Sequence, residues 1–145
     1  MFCMPYNPAT AGNCLGIPYM DHAETDLNPR YERGTLQEVY EMIGKDIEAG
    51  IPLIDDTAYS VPKYHFNYKA ACCFASRYYL FMQDWDNAIK YATMALTSNP
   101  SSLLRDYSAI AALPNGTSRH QEYVNSASTA NFLLQAATSN SGLLF

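Results

Sequence analysis

Positive charge is scarce in this chain and nowhere clustered: nine Lys and Arg stand against fourteen Asp and Glu, for a net charge of −5 and a pI near 5.0. A surface of that sign repels phosphates, which excludes nucleic acid as a partner. Long apolar runs are missing too, and none approaches the roughly 20 residues needed to span a bilayer. The opening residues, Met1 to Pro5, lack the basic start and apolar core of a signal peptide. The four cysteines, Cys3, Cys14, Cys72 and Cys73, form no Cys-x-x-Cys pair and have no His at metal-ligand spacing. They are read as small buried thiols, with Cys3 and Cys14 able to pair only in an oxidising compartment. His22, His65 and His120 are scattered, so Ser-His or Cys-His catalysis has no support. Asp21, Glu24 and Asp26 are the one close group of carboxylates, yet nothing sets their separation or raises one pKa as glycoside hydrolysis requires. The chain is therefore expected to be no enzyme and to need neither cofactor nor metal.

What is present suits a packed core, since the 145 residues are 48% hydrophobic and 13% aromatic. Twelve tyrosines are the unusual feature. Each combines an apolar body with a polar tip, which fits helix-hairpin packing and also flat platforms on which sugars stack. The acids are uneven: residues 21–56 hold ten of the fourteen, as expected of a solvated outer face.

Residues 1–33 carry Pro5, Pro8, Pro18 and Pro29 with no sustained period, an irregular lead-in whose Leu15, Ile17, Tyr19 and Met20 are expected to lie against helices. Residues 34–100 form the helical core. Thr35-Leu36-Gln37-Glu38 is a capping box, so a helix starts there with Leu36, Val39, Tyr40, Ile43 and Ile47 inward, and Gly50 and Pro52 stop it. Gly44 inside that helix predicts a close neighbour. Ile51 to Phe66 reads as a long surface connection. Asn67 caps a second helix, apolar nearly all round and so an inner one, with Ala71, Phe74, Ala75, Tyr78 and Met82 on one face. After Gln83, Asp84 caps a third with Ala88, Tyr91, Ala92, Ala95 and Leu96 facing the second, and Asn99-Pro100 ends it. Residues 101–145 are weaker: a short helix within Ser101 to Ala112 with Leu103, Leu104, Tyr107, Ile110 and Ala111 inward, a turn at Pro114 to Thr117, a brief helix capped by Thr117 or Ser118 and running through Tyr123, and Ala130 to Thr138 as strand or helix. Asn115-Gly116-Thr117 matches the N-glycosylation pattern but reads as turn.

Tyr79, Ala88, Ala95 and Pro100 stand at the offsets of a tetratricopeptide repeat of about 34 residues, and Asp84 to Tyr91 resembles the turn and second helix of such repeats. Cys72, Ala75, Ser76 and Ala92 stand where that pattern prefers Trp, Leu, Gly and a second aromatic, which makes the repeat a divergent one. Tyr79 and Trp85 are expected to be buried over the hairpin, and Ala88 and Ala95 to be its close contacts. The fold class is mainly α: a tetratricopeptide-like hairpin with a preceding helix and long irregular loops. Repeats of this kind need neighbours to cover their outer faces.

Three features in order carry a further resemblance: Leu15-Gly16-Ile17-Pro18-Tyr19; then Arg33-Gly34-Thr35-Leu36-Gln37-Glu38-Val39-Tyr40 with Ile43, Asp46, Ile47 and Ala49; then the helix from Lys69-Ala70-Ala71 to Leu80 with the Asp84-to-Ala95 hairpin. Together they resemble the SusD/RagB family of outer-membrane glycan-binding lipoproteins, over about residues 15–100. The resemblance implies a non-catalytic protein at the cell surface, in the outer membrane, that captures an oligosaccharide or polysaccharide and hands it to a TonB-dependent transporter. It implies contact with the membrane only through a lipid anchor absent from this chain, since Cys3 lacks the lipobox. Members are longer, so the chain is read as a piece of a larger protein. The family's stacking aromatics lie in variable loops, which leaves the glycan-contacting residues unnamed. The alternative function is a tetratricopeptide-type module for protein–protein interaction.

Overall fold

The computed structural model describes residues 4–96 and 99–133. The fold is mainly α: helices α1 (Leu36–Gly50), α2 (Tyr68–Phe81), α3 (Trp85–Ala95), α4 (Tyr107–Ala111) and α5 (Gly116–Tyr123) are joined by loops and single 3-10 turns, with no strand among the described residues. The chain divides into two compact units, Met1–Leu53 with Phe74–Lys90 and Ile54–Cys73 with Tyr91–Phe145.

In the first unit α1 begins at the capping box: the Thr35 hydroxyl accepts from the Glu38 amide at 3.1 Å and Glu38 Oε2 accepts from the Thr35 amide at 2.8 Å. The Thr35 amide, with help from the hydroxyl, holds the Glu38 carboxyl below its ordinary range. Leu36, Val39 and Ile47 are buried, and the chain passes into a 3-10 turn at Ile51–Leu53. Upstream, Leu15 forms an isolated antiparallel bridge with Thr35. The Gly16 amide donates to the Gly34 carbonyl at 2.8 Å, the Leu36 amide to the Cys14 carbonyl at 2.7 Å, and Arg33 Nε to the Gly16 carbonyl at 2.6 Å. A Cβ on Gly16 would stand 2.7 Å from Val39 Cγ2 and 2.8 Å from the Thr35 carbonyl oxygen, so only glycine fits between strand-like lead-in and helix. The lead-in is thus pinned by its backbone, while Leu15, Ile17 and Met20 keep their side chains exposed.

Gly44 has the close neighbour expected of it, since its Cβ would lie 2.7 Å from the Tyr78 hydroxyl. That hydroxyl donates to the Tyr40 carbonyl at 2.6 Å, and the Tyr78 ring stacks on Tyr40, with Tyr6 on Tyr40 in turn. Burial pushes the Tyr78 phenol up to about 12. Tyr79, also buried, donates to Glu48 at 2.7 Å.

A Schellman turn links α2 to α3: the Asp84 amide donates to the Tyr79 carbonyl at 3.0 Å and the Gln83 amide to the Leu80 carbonyl at 3.2 Å. Gln83 takes the left-handed position, φ 62°, where glycine is usual. Asp84 Oδ1 then accepts from the Asn87 amide at 3.1 Å and caps α3 as expected. Across the turn the Ser76 hydroxyl donates to the Ala88 carbonyl at 2.8 Å, an approach that the side chain of a larger residue would obstruct.

Several burial expectations fail here. Trp85 is 58% exposed, because Ala88, Tyr91 and Ala95 form the buried line of α3 and Trp85 shares the next face with exposed Ile89 and Leu96. Only half of α2 is covered: Ala70, Ala71, Cys72, Ala75, Tyr78 and Tyr79 are buried, whereas Phe74, Leu80 and Phe81 are exposed. Cys73, one step of about 100° from buried Cys72, is exposed with them.

The second unit holds 3-10 turns at Asp56–Ala58, Pro62–Tyr64 and Pro100–Leu103, then α4 and α5. Asp106 caps α4 through the Ala109 amide at 2.9 Å. At five residues α4 is shorter than expected, and Leu104 and Tyr107 are exposed, not inward. Asn115 caps α5 through the Ser118 amide at 2.8 Å, so the helix starts at Gly116 inside the stretch read as turn. Residues 130–133 form no regular element, and the remainder of the Ala130–Thr138 segment lies outside the described residues, as does Cys3 with its candidate pairing.

Replacing Gly16 by Ala should cost about 1–3 kcal/mol, because the added methyl meets backbone as well as the Val39 side chain; a chemical denaturation curve measures it. Gln83→Gly should add about 0.5–1 kcal/mol by removing the left-handed strain, read as a higher denaturation midpoint at unchanged slope.

Candidate functional site

A cleft of about 460 Å³ opens in the second unit, lined by Asp56, Lys63, Asn67, Lys69, Asn131 and Phe132 among others. Its floor is the start of α2. Asn67, 4% exposed, has every polar atom occupied: Oδ1 accepts from the Ala70 amide at 3.0 Å, and Nδ2 donates to the Pro62 carbonyl at 3.2 Å and the Phe132 carbonyl at 2.5 Å. The cap expected from sequence is therefore also the tether for the segment that carries Phe132. Asp56 Oδ1 accepts from the Tyr68 amide at 2.9 Å, a second side-chain acceptor on the first turn of the same helix.

The opposite wall is a loop with no regular structure, held by side-chain donors. Lys63 Nζ donates to the Ser126 and Ser128 carbonyls, both at 2.7 Å. Asn131, 6% exposed, donates from Nδ2 to the Tyr123 carbonyl at 3.0 Å and the Asn125 carbonyl at 2.9 Å, and its Oδ1 accepts from Arg105. Arg105 also donates to the Tyr123 carbonyl at 2.9 Å while its guanidinium lies 3.9 Å from the Tyr123 ring centroid. The Thr129 hydroxyl donates to the Ser102 carbonyl at 2.7 Å. Phe132 is half-buried at the edge of this loop, with the Lys69 ammonium 5.5 Å from its ring centroid.

A mostly apolar cleft with a few polar side chains, one ring and two ammonium groups in its lining can hold a sugar by stacking and hydrogen bonds. Outside it, Tyr59 and His65 stack at 3.9 Å with Tyr59 40% exposed, a second aromatic surface in the same unit.

The residues weighed for chemistry do not converge. Asp21 sits against His22 at 2.6 Å, and that hydrogen bond lowers its pKa, opposite to what a general acid needs. Glu24 accepts from the Tyr31 hydroxyl and Asp46 from the Tyr19 hydroxyl. His65 stacks on Tyr59. Among the described residues no three His, Cys, Asp or Glu side chains are grouped to hold a metal ion, and no helix is long and apolar enough to cross a membrane.

The fold and the cleft describe a helical protein, rich in loops, with an open recess beside the start of α2. Residues 1–80 match the family model of the SusD-like proteins, described as starch-binding and associating with the outer membrane, and the chain belongs to that SusD-like family. No curated protein and no solved structure matches it. The match includes Asp56, Lys63, Asn67 and Lys69 and stops short of Phe132 and Asn131.

Sequence reasoning found Asn67 as a cap and missed the cleft. The only signal for it was the crowding of Lys63, Asn67 and Lys69 around a helix start, and their partners lie some 60 residues on.

Asn67→Asp should keep the helix cap and remove both donations from Nδ2. The expected outcome is unchanged helix content by circular dichroism with faster amide exchange in residues 128–133, since the Phe132 carbonyl loses its tether.

Proposed function

We propose that the chain is a non-catalytic capture element: it binds oligosaccharides at the outer cell surface and passes them to a TonB-dependent transporter. The observation that carries this reading is the family match over residues 1–80, which contains the Gly16–Thr35 joint and the α1 and α2 motifs intact. The cleft in the second unit supports it with the groups that sugar recognition uses: amide and hydroxyl side chains, ammonium groups and a ring at the rim. In this reading α2 and α3 act as one tetratricopeptide-like repeat, and the chain is a part of a longer lipid-anchored protein.

One observation favours a second role for the hairpin, that of a protein-interaction surface. Leu80 and Phe81 at the end of α2 and Trp85 at the start of α3 are more than half exposed, apolar surface that a partner would cover. The transporter is the partner that agrees with the first reading.

Isothermal titration of the chain against a panel of starch, other neutral glucans and acidic polysaccharides checks the proposal. Saturable heat with at least one glycan and no hydrolysis product is the expected outcome; silence across the panel would leave only the partner-binding role, which co-purification with the transporter would then have to establish.

A further inference from the structure

The second unit differs in charge from the first. It carries four acids, Asp55, Asp56, Asp106 and Glu122, balanced by four bases, Lys63, Lys69, Arg105 and Arg119, while the chain's acidic excess belongs to the other unit. Two of those bases meet at one cleft. Lys63 spends two of its donors on the Ser126 and Ser128 carbonyls, which are neutral, so its charge stays uncompensated. Lys69 is exposed and leans toward the Phe132 ring. No carboxylate lies within ion-pair distance of the Lys63 or Lys69 ammonium among the described residues. Asp56 lines the same cleft and opposes an anion there, but one of its oxygens is held by the Tyr68 amide, and the lining carries two lysines against this one carboxylate.

Two lysines and a half-buried ring thus line one cleft of the unit that carries no net charge, where an anionic group meets attraction instead of the repulsion of the acidic unit. We infer that the cleft formed by Lys63, Lys69, Asn67 and Phe132 selects glycans that bear an anionic substituent, a uronate carboxylate or a sulfate ester, over their neutral counterparts. The sugar ring packs against Phe132, Lys69 meets the charged substituent, and Lys63 adds its field from the cleft wall. The inference rests on the glycan-capture reading and narrows it to a substrate class.

The test uses the whole chain, titrated with oligogalacturonate, with a sulfated oligosaccharide, and with a neutral oligosaccharide of matched length, at low and high salt. Lys69→Met is the variant of choice: Lys69 is exposed, whereas Lys63 also holds two loop carbonyls. Charged ligands should bind about tenfold more tightly than the neutral one, the preference should shrink with salt, and Lys69→Met should abolish it while Lys69→Arg retains it. Uronate and sulfate arms that behave alike point to recognition of charge alone; uronate alone points to the carboxylate. Equal binding of charged and neutral ligands, or a preference that survives Lys69→Met, overturns the inference and leaves glycan capture standing. No binding in any arm removes glycan capture itself. Melting curves of each variant separate loss of binding from loss of fold.

Discussion

A chain with this much loop must find a donor for each carbonyl it turns inward, and the solution here is to use long polar side chains as substitutes for a sheet. Arg33 serves the Gly16 carbonyl, Lys63 those of Ser126 and Ser128, Arg105 that of Tyr123, Asn67 those of Pro62 and Phe132, and Asn131 those of Tyr123 and Asn125. Leaving one such group unmet typically costs about 1–3 kcal/mol, so these few residues decide whether the loops have one conformation or many. No buried side-chain nitrogen or oxygen among the described residues lacks a partner.

This constraint also explains what the family's motifs are for. The segment Leu15 to Tyr19 is half of a joint: Gly16 is small because Thr35 and Val39 press on it, and Arg33 precedes the helix because it must reach back to the Gly16 carbonyl. In the second unit the same device, a side chain donating to a distant loop, builds a recess. Scaffold and candidate site therefore share one physical origin, side chains that donate to distant loop carbonyls.

Local signals were legible. The Thr35 capping box, the Asn67 and Asp84 caps and the close approach at Gly44 follow from residue types at short spacing, and each is present. Asn115 was misread because Asn-Gly serves a turn as readily as a helix start. Exposure was less legible than helicity. Trp85, Phe74, Leu104 and Tyr107 are apolar enough for a core, but hydrophobicity does not say which face of a helix meets another element, and here Ala75, Ala88 and Ala95 took the buried positions. The cleft was invisible for a different reason: it joins residues 56–69 to residues 102–132 through side-chain bonds that no periodicity records.

The exposed indole at the head of α3 has a practical consequence. Trp85 is the chain's single tryptophan, so its emission comes from one place, beside the Schellman turn and in water. Any protein that settles on the α2–α3 face would move that ring into an apolar setting and shift its fluorescence toward the blue, an intrinsic reporter for complex formation that needs no added dye.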